Sequence, residues 1–252
     1  MRISTRLKVV ADFIEDNDKV IDIGCDHALL DIYLYENKKK IKLIASDINE
    51  GAIKSAKRNI KKYNLEEKII LRQGDGLDVI KRKNEVNTVV ISGMGFFTIK
   101  KILSNSRVNE IDKIIIQSNT DIVKLRKFVI KLGFKIDDEK LVKDKDIIYT
   151  VIKFIRGEEK YSYSEIYLGP KLMKEKDALF YEYYEKKLLK YENLLLQLPK
   201  YEIRSRIHHK RLISIIKKEV ISVKWIFVYF KNYFDKNSKI WYYEYVKETC
   251  IK

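Results

Sequence analysis

Short apolar runs alternate with helical spacings through the first 155 positions. The runs 19–23, 43–47, 69–73, 88–91 and 113–118 are rich in Ile and Val and predict strands. TVVIS and KIIIQS are apolar at consecutive positions, so both faces of those strands are expected to be buried, as in a parallel sheet. Between them, 28–35, 51–63, 97–103 and 122–132 read as helices, the last closed by Gly133. Two strands, 134–142 and 146–155, then follow without an intervening helix. Alternating βα units that end in such a pair predict an α/β fold, a Rossmann-like doubly wound sheet with an antiparallel edge.

The texture changes after Gly157. From Pro170 to Leu198 the spacing predicts one long helix, with Pro170 near its first turn and a broad Leu/Tyr/Phe face. Pro199 breaks it, and 201–221 resumes a helical pattern through Ile203, Ile207, Leu212, Ile215 and Ile216, which predicts an antiparallel hairpin. The last thirty positions, with VKWIFVYF and IWYYEYV, have no clear period. The expected organisation is a domain over 1–157, a helical extension over 158–222 and an aromatic tail over 223–252.

Charge adds a partner class to this outline. The 252 residues hold 52 Lys+Arg against 36 Asp+Glu, a net of +16, and 46% hydrophobic residues, a soluble globular composition. Residues 157–252 contribute +7 and residues 1–156 contribute +9, so both parts suit a polyanion. A Lys- and Ile-rich compositional bias gives the same excess. Two cysteines, Cys25 and Cys250, make neither a disulfide framework nor a metal set. No apolar run reaches the ~18 residues of a membrane span and MRISTRLKVVADF lacks a signal core, so a cytoplasmic protein is expected, with no membrane partner and no metal.

Candidate chemistry collects where strands end. VIDIGCDHALL runs from a strand through a tight turn into a helix, placing Asp22, Gly24, Cys25, Asp26 and His27 at the carboxyl end of a buried strand. The turn lacks the further glycines of G-x-G-x-x-G, so a cofactor without a pyrophosphate fits better. Asp47, with Ile48 beside it, ends the second strand, where a carboxylate can accept both hydroxyls of a ribose. A helix N-cap is the alternative. Gly74-Asp75-Gly76 follows the third strand and suits an adenine amino group or a plain turn. Ser92-Gly93-Met94-Gly95 ends the fourth, and Asn119 follows the fifth.

Four consecutive strands ending in acidic or glycine-rich elements resemble class I S-adenosylmethionine-dependent methyltransferases. More narrowly, DIGCDHALL, NEGAIKSAKRNI, RQGDGLDVI, SGMG, IIIQSN and YLGPKLMKEKD resemble the bacterial TrmK family, tRNA (adenine-22-N1)-methyltransferases, over roughly residues 4–220. The resemblance implies a Rossmann-like domain with a helical, coiled-coil-like extension, S-adenosylmethionine as cofactor and tRNA as substrate. It implies a catalytic-site carboxylate at Asp26 and a basic residue at Arg6, within the family's S-x-R-L pattern, at the cofactor site. Two positions depart from the pattern. Phe96 follows G-M-G where a small residue is usual, which is expected to reshape the substrate edge, and Ser118 replaces the proline of Q-P-N.

Adenine N1 already carries an in-plane lone pair, so methylation there calls for orientation and charge handling rather than a strong base. Asp26 is expected to accept from the adenine amino group, with a cap on the following helix as the alternative, and Asn119 to hold the base edge or, equally well, to cap its loop. His27 is expected to position or pack, and Cys25 is not expected to act as a nucleophile. Lys171, Lys174, Lys176, Lys186, Lys187, Arg204, Arg206, Lys210 and Arg211 on the extension are the candidates for holding the RNA backbone of a flipped or unpaired target, by a monomer. For each of them alone a solvated helix face is the simpler reading. The competing functions are a methyltransferase for another acceptor (rRNA, protein or small molecule) and a catalytically idle RNA-binding module.

Overall fold

The computed structural model describes residues 1–37 and 40–221. Its described residues fall into two compact units, Met1–Leu179 and a second that begins at Phe180. The first is built on seven strands: β1 (Lys19–Ile23), β2 (Lys42–Asp47), β3 (Ile69–Gln73), β4 (Thr88–Met94), β5 (Lys113–Ser118), β6 (Phe134–Asp144) and β7 (Ile147–Arg156). Their order is β3-β2-β1-β4-β5-β7-β6. The first five are parallel, while β7 runs antiparallel to both β5 and β6. The chain winds outward from β1 to β3 and then returns to β4 on the other side of β1. That reversal opens a crevice at the carboxyl ends of β1 and β4, where open α/β sheets take ligands.

Alternation along the central strands explains the layers. On β4, Val89 and Ile91 enter one core and Val90 the other; on β5, Ile114 and Ile116 part from Ile115 in the same way. Helices α1 (Thr5–Asp12), α2 (Leu29–Asn37) and α3 (Glu50–Lys62) cover one face, and α4 (Phe96–Leu103) and α5 (Ile122–Lys131) cover the other. Helix α1, which the periodicity did not single out, begins at Ser4, whose hydroxyl accepts from Leu7 N–H at 3.3 Å.

The expected break after 157 falls inside the first unit. Helices α6 (Tyr163–Leu168) and α7 (Leu172–Glu175) are fastened to the sheet domain by a buried ion pair. Arg126 Nε meets Glu139 Oε1 at 2.6 Å, Arg126 Nη1 donates to the carbonyls of Ile166 and Tyr167 at 3.1 and 3.3 Å, and Glu139 Oε2 accepts from Lys171 N–H at 3.2 Å. The start of α6 was legible as S-x-x-E: Ser162 and Glu165 form a capping box.

The single helix expected over 170–198 is also interrupted. Lys176 ends α7 in the left-handed region (φ +44°), and α8 (Ala178–Gln197) starts afresh. The second unit is an antiparallel hairpin of α8 and α9 (Ile203–Ile216), which continues as a π-helical turn to Ile221. Tyr191 stacks edge-on to His209 at 5.7 Å, and Lys217 pairs with Glu192 at 2.9 Å. The aromatic tail lies outside the described residues.

Candidate active site at the carboxyl edge of the sheet

The turn after β1 is tied to the neighbouring strand by its backbone: Gly24 N–H and Cys25 N–H both donate to Ser46 C=O, at 2.8 and 3.0 Å. Gly24, Asp26 and Ala28 all have positive φ (+78°, +49° and +53°). Left-handed non-glycine residues are costly and gather at functional turns. A Cβ on Gly24 would run into the flexible tip of Met94, which can move aside, so it is the positive φ of +78° that calls for glycine here. The turn aims Asp26 outward, its side chain 69% exposed and its Oδ2 3.5 Å from His27 Nε2.

Asp47 sits across from this turn at the tip of β2. Its Oδ2 accepts from Asp26 N–H at 3.3 Å and its Oδ1 from Asn49 N–H at 2.8 Å. The N-cap of α3 is Asn49, which removes the capping alternative for Asp47. Ile48 beside it is 64% exposed. Asp75 and Gly76 end β3 at the same edge, where Asp75 Oδ2 is paired with Lys101 Nζ at 2.6 Å. Gly76 is buried in a left-handed bend against Ile102.

Beneath the turn lies an acid pair that the sequence reading half missed. Asp22 is buried at the end of β1, and Asp31 on α2 is fully buried. Burial, then the neighbouring Asp31 charge, pushes Asp22 well above the usual carboxylate range, and burial raises Asp31 as well. Two buried carboxylates cannot both ionise there, so the pair retains a proton near neutrality. The signal for Asp31 was an acid set in the apolar string ALLDIYLY. Burial and the same two carboxylates push the Cys25 thiol up, which disfavours the thiolate.

On the other side of the crevice the organiser is Gln117, fully buried on β5 and not foreseen from the sequence. Its Oε1 accepts from Arg6 Nη1 (2.6 Å), Gly93 N–H (2.9 Å) and Ser92 Oγ (3.2 Å), which brings Arg6 from α1 to the end of β4. Gln117 Nε2 donates to Asn119 Oδ1 at 3.0 Å, and Asn119 Nδ2 donates to Gly93 C=O at 2.7 Å. The Asn119 amide therefore braces Gly93 and keeps one N–H and one lone pair for other partners. Ser118 shapes this loop, its hydroxyl donating to Thr120 C=O at 2.7 Å. Phe96 does not reach the substrate edge as expected: it turns into the core, 7% exposed, and its neighbour Phe97 stands in solvent.

With this edge described, comparison with known proteins decides the family. The model of the family described as "tRNA (adenine(22)-N(1))-methyltransferase" (TrmK) matches residues 20–219. The chain belongs to the TrmK family. It is 36% identical to the tRNA (adenine(22)-N(1))-methyltransferase of Bacillus subtilis, over 71% of this chain and 79% of that protein. Among solved structures, a putative tRNA (m1A22) methyltransferase of Streptococcus pneumoniae superposes with a TM-score of 0.81 at 32% identity, over 87% of this chain and 100% of that one. TrmK of M. capricolum, bound to S-adenosylhomocysteine, gives 0.79 at 30% identity, over 87% and 98%. The Streptococcus pneumoniae protein has also been solved in complex with S-adenosyl-L-methionine, and that structure superposes with a TM-score of 0.78 at 30% identity, over 87% of this chain and 100% of that one.

The basic residues singled out for RNA divide between the two units. Lys171, Lys174 and Lys176 lie on or beside α7 in the first; Arg204, Arg206, Lys210 and Arg211 lie on α9 in the second. Arg206 is committed inside the hairpin. Its Nη1 donates to the carbonyls of Leu195 and Leu198 at 3.1 and 2.6 Å, closing the carboxyl end of α8. Arg204, Lys210 and Arg211 on α9 are exposed, as is Lys174 in the first unit. No helix among the described residues is long and apolar enough to cross a membrane, and no cluster of three metal-binding side chains occurs among them.

Proposed function

We propose that the carboxyl edge of this sheet methylates N1 of adenine 22 in tRNA, with Asp26 orienting the base and Asp47 holding the cofactor ribose. The observation that carries the reading is the pairing of two left-handed glycines, Gly24 and Gly93, at the β1/β4 reversal with two carboxylates, Asp26 and Asp47, that have no Lys or Arg partner among the described residues.

These residues fit S-adenosylmethionine. A Cβ on Gly93 would make only an ordinary contact with Arg6 Nη1 at 3.6 Å, so it is the positive φ of +84° that favours glycine at this strand end. Asp47 presents a carboxylate to a diol, and exposed Ile48 offers an apolar surface to an adenine ring. Asp22 stays beneath the turn and supports it together with Asp31. Asp75 reaches an adenine amino group only by sharing its carboxylate with Lys101. When bound, the cofactor supplies an electrophilic methyl on sulfur, which passes to N1 as the C–S bond breaks and leaves a positive charge on the base.

The chain's own work is orientation and charge. Asp26, held outward by its left-handed backbone, accepts from the adenine amino group and offsets the charge that grows on the ring. Asn119 steadies Gly93 and presents its remaining N–H to the base edge. Gln117 locks Arg6 and Gly93 so that this edge does not reorganise during transfer. No residue has to remove a proton from N1. The exposed cations Lys174, Arg204, Lys210 and Arg211 contact RNA phosphates, and the protein acts as a cytoplasmic monomer.

The test is methylation of an unmodified tRNA transcript with labelled cofactor, followed by nucleoside analysis. One-methyladenine that disappears when adenine 22 is replaced supports the reading. Cofactor binding with transfer to another acceptor, or with no transfer at all, overturns it in favour of a different substrate or an idle module.

A further inference from the structure

Phe97 is an exposed aromatic ring at the lip of the crevice, and we propose that it stacks on a nucleobase of the tRNA while Lys124 holds the adjoining backbone. The proposal deepens the tRNA reading above and rests on it. Single exposed apolar residues are ordinary on protein surfaces. This one differs in its placement, its support and its company.

Placement follows from the start of α4. Gly95 is the N-cap, Phe96 turns into the core, and the next residue on a helix points about 100° away. Phe97 is therefore forced outward, 71% exposed, three residues after Met94. The same helix start is stitched to the loop after β5, because Phe96 N–H donates to Thr120 Oγ1 at 3.0 Å next to the Asn119 brace on Gly93. Asp47 and Ile48, the groups assigned to the cofactor, lie on the β1/β2 side. Asn119, assigned to the base edge, lies on the β4/β5 side, where Phe97 stands.

Support comes from the aromatic rings behind it. Phe97 and Phe96 have centroids 5.4 Å apart at 58°, and Phe96 meets Phe128 edge-on at 6.3 Å and 83°. A ring backed in this way loses little freedom on stacking, which favours affinity. Lys124 Nζ lies 5.8 Å from the Phe97 centroid, with Asp121 Oδ2 at 3.3 Å. Aromatic faces beside cations bind unpaired nucleotides without reading their sequence, since every base has a π-face and every linkage a phosphate.

The experiment compares Phe97→Ala, Phe97→Leu, Phe97→Tyr and Phe97→Trp with the unaltered protein. Methylation kcat/KM on tRNA transcript, tRNA affinity, cofactor affinity and Tm are measured for each. Loss of one stack lowers tRNA affinity by about 5- to 150-fold. The expected result is a loss of that order in both Phe97→Ala and Phe97→Leu, recovery in Phe97→Tyr and Phe97→Trp, and unchanged cofactor affinity and Tm. An undiminished Phe97→Ala, or full recovery with leucine, overturns the stacking role. If the unaltered protein itself leaves tRNA unmethylated, the underlying substrate reading fails instead, and the two failures are told apart by that one sample.

Discussion

The two ends of the parallel strands use the same residue types for opposite purposes. At the amino end, acids are matched with cations: Lys113 Nζ meets Glu15 and Asp18 at 2.9 Å each, and Lys153 Nζ meets Glu15 at 2.6 Å and Asp137 at 2.9 Å. At the carboxyl end Asp26 and Asp47 take backbone N–H groups and a histidine, and no Lys or Arg among the described residues. A carboxylate satisfied by a neighbouring cation stabilises the fold and has little left to offer a ligand. A carboxylate held by backbone alone keeps lone pairs and charge for a hydroxyl, an amino group or a developing cation.

The sharpest way to break this contrast is Asp26→Ala. Turnover on tRNA should fall by about 100-fold or more while cofactor affinity stays within a few-fold, since the role proposed for Asp26 is on the base in the transition state. Single-turnover methylation and calorimetric cofactor titration measure the two. An equal loss in both assays moves Asp26 to the cofactor site.

The converse change is Lys113→Met at the amino end. Asp18 is 6% exposed and would be left without its cation, so urea unfolding should show a loss of about 3 kcal/mol, while the folded variant methylates tRNA at the wild-type rate. A variant that unfolds normally but methylates poorly would erase the distinction between the two ends.

The ends should also titrate in opposite directions. Hydrogen bonds from Lys113 and then Lys153 lower Glu15 to about 2, so its contribution is present above the usual carboxylate range and is lost as pH falls towards about 2. Burial raises Asp31, so its protonated form suits the fold at low pH and that benefit is lost as pH rises through its raised value. Against the unaltered protein, Glu15→Gln should lose less stability on acidification and Asp31→Asn less on the approach to neutrality and beyond. Denaturation midpoints across pH measure both, and a shared sign of slope would refute the contrast.

The smallest effect is expected from His27→Gln. His27 is 53% exposed beside Asp26, and a true general base contributes 100-fold or more. Methylation should change by less than about 10-fold. A loss of 100-fold or more would assign His27 a proton that the N1 reaction does not call for.

Much of this was legible along the chain. Continuous apolar runs mark strands buried on both faces, and short turn strings after them mark where ligands sit, because both are consequences of spacing along one segment. Gly24, Asp26 and Asp47 could be placed at the carboxyl edge of the sheet for that reason, and the motifs pointed to the family. What depended on contacts between distant segments was not legible. Gln117 gathers Arg6, Ser92, Gly93 and Asn119 from three parts of the chain. Phe96 turns inward and Phe97 outward because the Gly95 cap sets the helix phase, and Arg126 with Glu139 carries the first unit past the texture change at Gly157. Local patterns follow from the period of the backbone, which every sequence displays. The partners of a buried charge or a bracing amide follow from how segments far apart in sequence pack, and only the tertiary structure decides that.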